Sequence, residues 1–237
     1  MSRILITNDD GIDASGIIRL AKAATKYGEV WVVAPESQRS AASHSITLRT
    51  YIDAKEYDFP VDGVKAYAIS GTPADCVRVG VLNILPEKPD VVLSGINFGY
   101  NAGTDVQYSA TVGAAMEAVF QGVPAVAISE GTHNGEGTTD KYLDVVLAEV
   151  LDIPFKAGQI VNVNFPDCNP DEVKGILRGR VNSYESIFHD RYKCEILDDG
   201  TMRFMVDGIF NSDVEEGSDL RALFDNYISI GTVNNLC

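Results

Sequence analysis

Two adjacent carboxylates directly follow the first predicted strand of the chain. Residues 3–7 are apolar and mostly β-branched, as in a buried parallel strand, and Asp9, Asp10 and the turn residue Gly11 come next. Open parallel sheets bind their ligands beyond the carboxyl ends of such strands. Two like charges side by side are costly unless a cation or hydrogen-bond donors compensate them. The pair therefore indicates a hard divalent metal site; the alternative is an Asp-rich turn that caps the next helix.

Two further loops with chemically useful side chains follow predicted core strands. The Ser/His loop, residues 35–45, carries a cation, a histidine and several hydroxyl groups, among them that of Ser40. The Gly/Asn loop, residues 94–108, contains glycines that let the backbone approach a ligand closely. Its asparagines Asn97 and Asn101 can offer a carbonyl oxygen to a metal or an amide to a phosphate. Because strand ends converge at one edge of the sheet, we expect the three loops to lie together.

Ser109 and Thr111 stand at the start of a predicted helix over residues 111–121. Each alone is typical of a helix cap. A helix N-terminus with nearby hydroxyl groups also suits a phosphate group. Because two carboxylates and the Gly/Asn loop are expected beside it, we favour a phosphate site here.

Two other side chains, His44 and Arg39, have two interpretations each, and a third, Cys76, has one. His44 could protonate a leaving group or hydrogen-bond its loop neighbours, and it is kept outside the predicted catalytic set. Arg39 could pair with a substrate phosphate, but an exposed side chain or a bridge to a surface carboxylate is favoured. Cys76, in the helix that follows the capping residue Thr72, is expected to be a core thiol.

The elements that must position these residues alternate between strand and helix. Strands are predicted at residues 3–7, 29–34, 47–53, 64–70, 90–93, 126–129 and 160–164, and those at 47–53 and 64–70 are interpreted as a hairpin excursion. A helix is predicted after the N-cap Thr72, with Pro73 at its first position and Asp75 completing a capping box. Further helices are predicted at residues 17–27, ended by Gly28, and at 111–121 and 141–151. This rhythm predicts an α/β fold with a doubly wound, mostly parallel, Rossmann-like sheet and helices on both faces.

The pattern changes after about residue 154. Short antiparallel strands are predicted at residues 175–181, 193–197 and 203–206, followed by a helix at 219–224 and a last strand at 227–230. We therefore divide the chain into an α/β catalytic core, residues 1–169, and a C-terminal antiparallel extension, residues 170–237, that is expected to mediate oligomerisation.

The composition limits the classes of partner. With 237 residues the chain suits one large domain or a domain with an extension, and its net charge of −15 argues against a nucleic-acid duplex or an anionic membrane as partner. A small anionic substrate is still compatible with that charge, because a metal and backbone N–H groups can hold it locally. We expect no signal segment and no membrane span. The cysteines form no CxxC pair or zinc-like cluster, which favours reduced thiols in a cytoplasmic protein; they are Cys76, Cys168, Cys194 and Cys237.

Several motifs, in the right order, resemble those of the SurE family, the stationary-phase survival proteins or 5′-nucleotidases. Over roughly residues 1–130 they are ILITNDDGIDASGI, VVAPESQRSAASHSIT, SGTPADCV, SGINFGYNAG and YSATVGAAMEA. NVNFP agrees further on, and the C-terminal part fits loosely. The resemblance implies an enzyme that uses magnesium or manganese to remove phosphate from nucleoside monophosphates. It also implies a homodimer or homotetramer whose C-terminal segments exchange between subunits.

The resemblance assigns roles to particular positions. The implied metal ligands are Asp9, Asp10, Ser40 and Asn97. The residues implied to line the phosphate pocket are Asn101, Ser109 and Thr111. The predicted catalytic set is Asp9, Asp10 and Asn101.

Three features depart from the family's pattern. Ala110 stands where a glycine is expected, and Phe98 and Tyr100 make the Gly/Asn loop bulkier. Residues 231–237 differ from the expected strand that ends near Thr-Pro. The metal ligands are unaffected, whereas the shape of the substrate pocket and the C-terminal exchange depend on these positions.

The leading interpretation is a metal-dependent phosphatase that acts on nucleoside 5′-monophosphates. An aspartyl-phosphate phosphatase is disfavoured, because such enzymes carry Asp-x-Asp-x-Thr after the first strand and this chain has Asp-Asp-Gly. A non-catalytic nucleotide sensor, or a phosphatase for another phosphomonoester or a polyphosphate, stays open because every residue named would also serve binding.

Overall fold

A nine-stranded, mostly parallel sheet forms the centre of the computed structural model, which describes residues 2–234. The strands of the chain are β1 (Ser2–Thr7), β2 (Gly28–Pro35), β3 (Ala54–Tyr57), β4 (Lys65–Ile69), β5 (Val91–Phe98), β6 (Ala125–Glu130), β7 (Gln159–Phe165), β8 (Gly175–Arg180), β9 (Phe188–His189), β10 (Tyr192–Ile196), β11 (Met202–Val206), β12 (Ile209–Phe210) and β13 (Tyr227–Asn234). The α-helices are α1 (Ser15–Ala24), α2 (Pro73–Val79), α3 (Ala110–Phe120), α4 (Gly135–Val150) and α5 (Asp219–Phe224). Shorter helical turns lie at Gly80–Ile84, Gly103–Gln107 and Pro170–Glu172.

The order of the strands places the crevice of the sheet between β1 and β5. The order is β3-β4-β2-β1-β5-β6-β7-β13-β8, and the strands from β4 to β7 in this order run parallel. The chain proceeds from β1 to β2 and β4 on one side, and β5 then continues on the other side of β1. Doubly wound sheets bind ligands at such a reversal. The predicted α/β fold is confirmed. The loop with Asp9 and Asp10 follows β1, and the Gly/Asn loop follows β5, so both lie at this reversal.

Alternation along β1 shows how the sheet carries a core on each face. Ile4 and Ile6 pack in the layer of α1 and α4, whereas Leu5 packs in the layer of α2 and α3. All three side chains are buried. Full burial of such a side chain stabilises the fold by about 1.5–3 kcal/mol, so both layers hold β1 firmly. The strand therefore delivers the carboxylates that follow it to a fixed place on the sheet edge.

Helix α2 begins as its sequence predicts. Thr72 Oγ1 accepts a 3.2 Å hydrogen bond from Asp75 N, and an Asp75 carboxylate oxygen accepts a 3.0 Å bond from Thr72 N. Pro73 occupies the first helical position. The predicted capping box is present.

The same aspartate explains why the strand predicted over residues 47–53 is wrong. Thr47 donates its backbone N–H and its hydroxyl to the Asp75 carboxylate, so these groups do not enter a ladder. The segment is an irregular loop, and β3 forms after it and pairs antiparallel with β4. The predicted hairpin excursion is therefore present, but one of its strands begins later than expected.

Gly28 does not end helix α1 as predicted. Helix α1 ends at Ala24, and Gly28 is the first residue of β2, paired with Ser2 of β1. A Cβ atom at Gly28 would lie 2.0 Å from the Ser2 carbonyl oxygen. Glycine is needed there for strand packing, which explains why sequence alone misassigned it.

Strand β5 is longer than the predicted strand over residues 90–93. It continues to Phe98, so the first part of the Gly/Asn loop belongs to the sheet. Gly95 makes this possible, because its φ is +142° and a Cβ atom there would lie 2.2 Å from the Ile128 carbonyl oxygen. The pairing with β6 shifts register between Ser94 and Asn97.

The C-terminal segment contributes to the same sheet. Strand β13 pairs antiparallel with β7, and β8 pairs parallel with β13, where an antiparallel strand was predicted. Strands β10 and β11 form a separate antiparallel hairpin, and β9 pairs with β12. Strands from both predicted parts of the chain thus complete one sheet. The division into a core, residues 1–169, and an extension, residues 170–237, stays a prediction.

Within residues 2–234, no helix combines the length and apolar character required to cross a lipid bilayer. Cys76 and Cys168 are buried free thiols and Cys194 is an exposed one, whereas Cys237 lies outside the described residues. Burial raises the pKa of Cys76, as expected for a core thiol.

Candidate metal and phosphate site

Asp9 occupies a buried position where β1 ends. It is 3% exposed, and Oδ1 accepts a 2.6 Å hydrogen bond from Thr111 Oγ1 at the start of α3. Burial raises the pKa of Asp9 to about 6; the bond from Thr111 opposes this rise, and repulsion from Asp10 adds to it. The hydrogen bond from Thr111 therefore compensates only part of the cost of burying the Asp9 negative charge.

Asp10 reaches the rim of the same crevice. One of its oxygens accepts a 3.0 Å hydrogen bond from Phe98 N at the end of β5, and the other accepts a 3.3 Å bond from Gln38 Nε2. Partial burial raises the pKa of Asp10, and these two donors lower it. Asp10 thus connects the end of β1 with β5 and with the Ser/His loop.

Gln38 brings Ser40 to Asp10. The Gln38 amide nitrogen donates to Ser40 Oγ at 3.1 Å as well as to Asp10 Oδ1, so the two oxygen atoms converge on one donor. The backbone supports this arrangement, because Arg39 N donates to the Asp9 carbonyl oxygen at 2.7 Å. The Asp10 and Ser40 oxygens therefore lie within 3.3 Å of the same nitrogen atom.

Asn97 lies one residue before the N–H group that binds Asp10. Its amide nitrogen Nδ2 donates to the Gly99 carbonyl oxygen at 2.7 Å. This bond uses the nitrogen and not Oδ1, which is the atom that would ligate a metal ion. The structure therefore places the predicted ligand Asn97 beside the predicted ligand Asp10.

The donor set of this crevice fits a hard divalent cation. Carboxylate, hydroxyl and amide oxygens are what magnesium, manganese and calcium prefer. No cluster of three or more His, Cys, Asp or Glu side chains that could hold a metal ion occurs among residues 2–234, so a cation here relies on two carboxylates and neutral oxygens. Burial raises the pKa values of Asp9 and Asp10, as expected for carboxylates that lack a counter-charge.

Asn101 is fixed by the sheet beneath it. Its amide nitrogen donates to Ser129 Oγ at 2.8 Å, and its backbone N–H donates to Asn164 Oδ1 at 2.9 Å. Its carbonyl oxygen accepts bonds from Asn162 Nδ2 at 2.8 Å and Asn164 Nδ2 at 3.0 Å. Side chains on β6 and β7 thus clamp the Gly/Asn loop at the residue predicted to bind phosphate.

The start of α3 has two hydroxyl groups with different partners. Ser109 is the N-cap, and its Oγ accepts a 3.0 Å hydrogen bond from Val112 N. Thr111 is fully buried and donates to Asp9, and its backbone N–H also lowers the pKa of Asp9. Ser109 thus has the capping role that was the alternative interpretation, and Thr111 positions a predicted metal ligand. Their contacts with phosphate remain predictions.

His44 anchors the Ser/His loop to α3. Its Nε2 lies 2.8 Å from Oε2 of the buried Glu117, and its ring stacks on Phe120 with ring centroids 5.2 Å apart. The loop lies directly on the helix, since a Cβ atom at Gly113 would be 2.5 Å from the Ser43 carbonyl oxygen. Among the described residues, the hydrogen bond of His44 therefore goes to helix α3 and not to its loop neighbours, and its role in turnover is untested by this contact.

In the part of the chain that the structure describes, the Arg39 side chain is neither exposed nor paired with a surface carboxylate, although the sequence favoured one of these two states. It is half-buried, and its Nη2 donates to the Ser70 carbonyl oxygen at 3.0 Å. Its Nε is buried with no hydrogen-bond partner, and within residues 2–234 it forms no ion pair with a carboxylate. The favoured prediction of an exposed or surface-bridging side chain is wrong, because the backbone bond to Asp9 draws the residue inward.

The comparisons with known proteins agree along nearly the whole chain. The family model described as "Survival protein SurE" matches residues 4–186. A protein named 5′-nucleotidase SurE from Clostridium botulinum (strain Kyoto / Type A2) is 40% identical over 231 residues, covering 96% of this chain and 90% of the relative. The chain belongs to the SurE family. The resemblance seen in the sequence is thereby confirmed.

Other members of the SurE family extend the match. A 5′-nucleotidase SurE from Thermosipho melanesiensis is 40% identical over 238 residues, covering 98% of this chain and 91% of that protein. The crystal structure of the SurE protein from Aquifex aeolicus superposes with a TM-score of 0.85 at 32% identity, covering 99% of this chain and 94% of that one. The family fold therefore includes the C-terminal strands, where the sequence resemblance was loose.

Sequence reasoning missed several residues that hold this SurE-family site in place. Gln38 bridges two predicted ligands, and Asn162 and Asn164 clamp the Gly/Asn loop. The alternation Asn-Val-Asn on β7 was the available signal: two polar residues on one face of a buried strand require polar partners above them. For Gln38, in an exposed polar loop, the sequence offered none.

Proposed function

We propose that this chain hydrolyses nucleoside 5′-monophosphates to nucleoside and phosphate, with a divalent metal ion held by Asp9, Asp10, Ser40 and Asn97. Relatives about 40% identical over nearly the full chain are named 5′-nucleotidase, which supports the activity. The observation that supports this location is that Asp10 shares the donor Gln38 with Ser40 and accepts from Phe98 N, the residue after Asn97, where β1 and β5 end. Magnesium or manganese is the metal that we propose.

The metal ion, when bound, supplies Lewis-acid chemistry: it lowers the pKa of water and offsets the negative charge of the phosphoryl group. The protein's own part is to hold and orient. Thr111 fixes Asp9 in its buried position, while Asp10 stands at the rim within reach of Gln38 and Phe98. The carboxylate pair accepts the proton of the attacking water, and because the two groups are coupled this titration belongs to the pair.

The start of α3 and the Gly/Asn loop are proposed to receive the phosphate. Asn101 is rigidly held by Ser129, Asn162 and Asn164, so its side chain is pre-organised. The positive end of the α3 dipole favours an anion at this place. Ser109 and Asn101 would thus orient phosphoryl oxygens while the carboxylates accept the proton. Thr111, whose hydroxyl donates to Asp9, would contribute by holding that carboxylate beside the phosphate.

A turnover assay separates this enzyme from a nucleotide sensor that uses the same residues. The protein is incubated with a large excess of nucleoside monophosphate and manganese, and released phosphate is measured per mole of protein. Phosphate in many-fold excess over protein supports the proposal. Saturable nucleotide binding without phosphate release would instead establish a sensor.

We also propose that the protein is a homodimer or homotetramer joined through its C-terminal region. On the hairpin of β10 and β11, alternate residues form one apolar face that is exposed in the single chain. These residues are Tyr192, Cys194, Ile196, Met202, Phe204 and Val206. An exposed apolar face of this kind marks an interaction surface.

The exposed free thiol of Cys194 on this face supports a reducing, cytoplasmic location.

A further inference from the structure

A cavity of about 540 Å³ opens beside the candidate metal site. Gly99 and Tyr100 form one side of it, and these residues directly follow the end of β5. A Cβ atom at Gly99 would lie 3.8 Å from Asn97 Nδ2, so the cavity begins next to a proposed metal ligand. A phosphate bound at the metal site would leave the rest of a nucleotide to extend into this space, whose volume is in the range of ligand pockets.

The walls of the cavity suit a flat aromatic ring. Phe188, Phe210 and Phe224 line it, with ring centroids 6.0 Å apart for Phe188–Phe210 and 5.2 Å apart for Phe210–Phe224. Phe188 is 50% exposed and Phe210 is 55% exposed. Stacking on an aromatic side chain stabilises a bound base by about 1–3 kcal/mol. A base bound here would also remove part of these exposed rings from water.

Two carboxylates line the cavity, but only one has acceptor capacity to spare. Asp167 accepts the backbone N–H groups of His133 and Asn134 and faces His133 Nδ1 at 2.9 Å. Asp105 also lines the cavity; partial burial raises the pKa of its carboxyl group, and the nearby Ile187 backbone N–H lowers it. A carboxylate has about four lone-pair sites, so Asp105 can accept from a ligand as well.

We propose that this cavity binds the base of the nucleotide substrate and that Asp105 selects bases with adjacent N–H donors, guanine above all. Guanine presents N1–H and an exocyclic amino group side by side, which matches the two oxygens of a carboxylate. Hypoxanthine has the same ring and N1–H but lacks the amino group. This inference rests on the proposed nucleotidase function and names its specificity-determining residue.

The test compares three substrates in the manganese-loaded wild type and two variants. GMP and IMP differ only in the amino group, and p-nitrophenyl phosphate carries no base. Asp105→Asn keeps the size of the side chain. Asp190→Asn is the matched control, since Asp190 lies close enough to raise the pKa of Asp105 but does not line the cavity.

The wild type should favour GMP over IMP in kcat/KM by about tenfold to hundredfold, the range for one hydrogen bond to a charged group. Asp105→Asn should bring this ratio close to one, with p-nitrophenyl phosphate hydrolysis unchanged. Asp190→Asn should keep the wild-type ratio. An unchanged ratio in Asp105→Asn, the same loss in Asp190→Asn, or equal kcat/KM for GMP and IMP in the wild type would overturn the inference.

Calorimetric binding of guanosine, which has no phosphate, provides a readout that does not need turnover. Guanosine should bind the wild type more tightly than inosine does, and Asp105→Asn should remove the difference. If guanosine binds this way but no substrate releases phosphate, the nucleotidase function fails and the base site stands. If phosphate is released but guanosine does not bind, the base site fails alone.

The alternative occupant of the phenylalanine wall is a second copy of the chain. A lower mass in solution for Phe210→Ser, with unchanged GMP kinetics, would overturn the inference.

Discussion

At the residue scale, Asp9 shows how a functional group works against stability. Its carboxylate is buried beside a second carboxylate, and Thr111 compensates only part of the cost. A residue kept in such a place contributes to the fold only when a cation or a proton neutralises it. The stability of the metal-free protein should therefore report on Asp9.

The metal-free protein should lose stability as pH rises from about 4 to about 6. In the unfolded chain Asp9 ionises near its ordinary value of 3.8, whereas in the fold burial raises its pKa to about 6. The folded state thus binds the extra proton in this window, and the stability contributed by that proton, up to roughly 3 kcal/mol, is lost by the time pH passes 6. Thermal melts of chelator-treated wild type and Asp9→Asn across this range measure the effect. The wild type should fall relative to the variant as pH rises; parallel curves would show that Asp9 ionises normally.

Thr111→Val should weaken metal binding. The substitution removes the hydroxyl that donates to Asp9 Oδ1 at 2.6 Å, so Asp9 is less well oriented and its pKa rises further. Thr138→Val is the matched control: Thr138 is equally buried and donates at 2.6 Å to the Cys168 carbonyl oxygen, away from the predicted ligands. Calorimetric titration with manganese near pH 6.5 should show lower affinity for Thr111→Val only. Equal affinities in the two variants would mean that Thr111 serves the fold alone.

At the scale of elements, the site depends on loops that other elements hold down. The Ser/His loop is tied to α3 through His44 and Glu117, and the Gly/Asn loop is tied to β6 and β7. Asp219 of α5 adds a third anchor, because its carboxylate accepts from Gly103 N at 3.0 Å and Ser183 N at 2.9 Å. A helix of the C-terminal segment therefore positions a loop of the proposed active site.

Asp219→Asn should loosen the Gly/Asn loop. Asp219 is buried, and an amide cannot accept at both oxygen positions, so at least one N–H is left unpaired at a cost of about 1–3 kcal/mol. Asp225→Asn serves as the control, since Asp225 follows the same helix and, among residues 2–234, its side chain pairs only with Arg221 at the surface. Hydrogen exchange at residues 103–107 should accelerate in Asp219→Asn and stay unchanged in Asp225→Asn. Equal protection in both would remove α5 from the positioning of the loop.

The sequence was most informative where local chemistry decides local structure. The apolar run before Asp9 and the capping box at Thr72 predicted β1 and the start of α2 correctly. Predictions failed where a distant partner decides. Residues 47–53 look like a strand, but their polar groups bind Asp75, and Gly28 looks like a helix stop but is needed for close contact with Ser2. The predicted ligands followed from residue types and a resemblance, whereas Gln38 and Asp219 depend on contacts that no local pattern encodes.

At the scale of the whole molecule, the hairpin of β10 and β11 exposes an apolar face that nothing within one chain covers among the described residues. One face carries the six apolar or thiol side chains from Tyr192 to Val206, and the other carries Lys193, Glu195, Arg203 and Met205. A two-stranded hairpin is marginal in water on its own. A partner subunit that covers the apolar face would stabilise both the hairpin and the assembly.

Phe204→Lys should reduce the mass of the protein in solution. It places a charge in the middle of the apolar face, opposite Cys194. Lys193→Glu on the other face is the control, because it changes a charge without touching the apolar side chains. Light scattering should give a dimer or tetramer for the wild type and the control, and a smaller species for Phe204→Lys. A monomeric wild type would exclude the proposed oligomer.

The central claim, that a divalent cation held by Asp9, Asp10, Ser40 and Asn97 enables phosphate release, has one direct measurement. Chelator-treated protein is titrated with manganese while bound metal and GMP hydrolysis are recorded together, in the wild type and in Asp10→Asn. We predict negligible turnover without metal, recovery that follows the binding of the cation, and loss of both in Asp10→Asn with the fold retained. Full turnover in the metal-free protein, or wild-type binding and turnover in Asp10→Asn, would contradict the account.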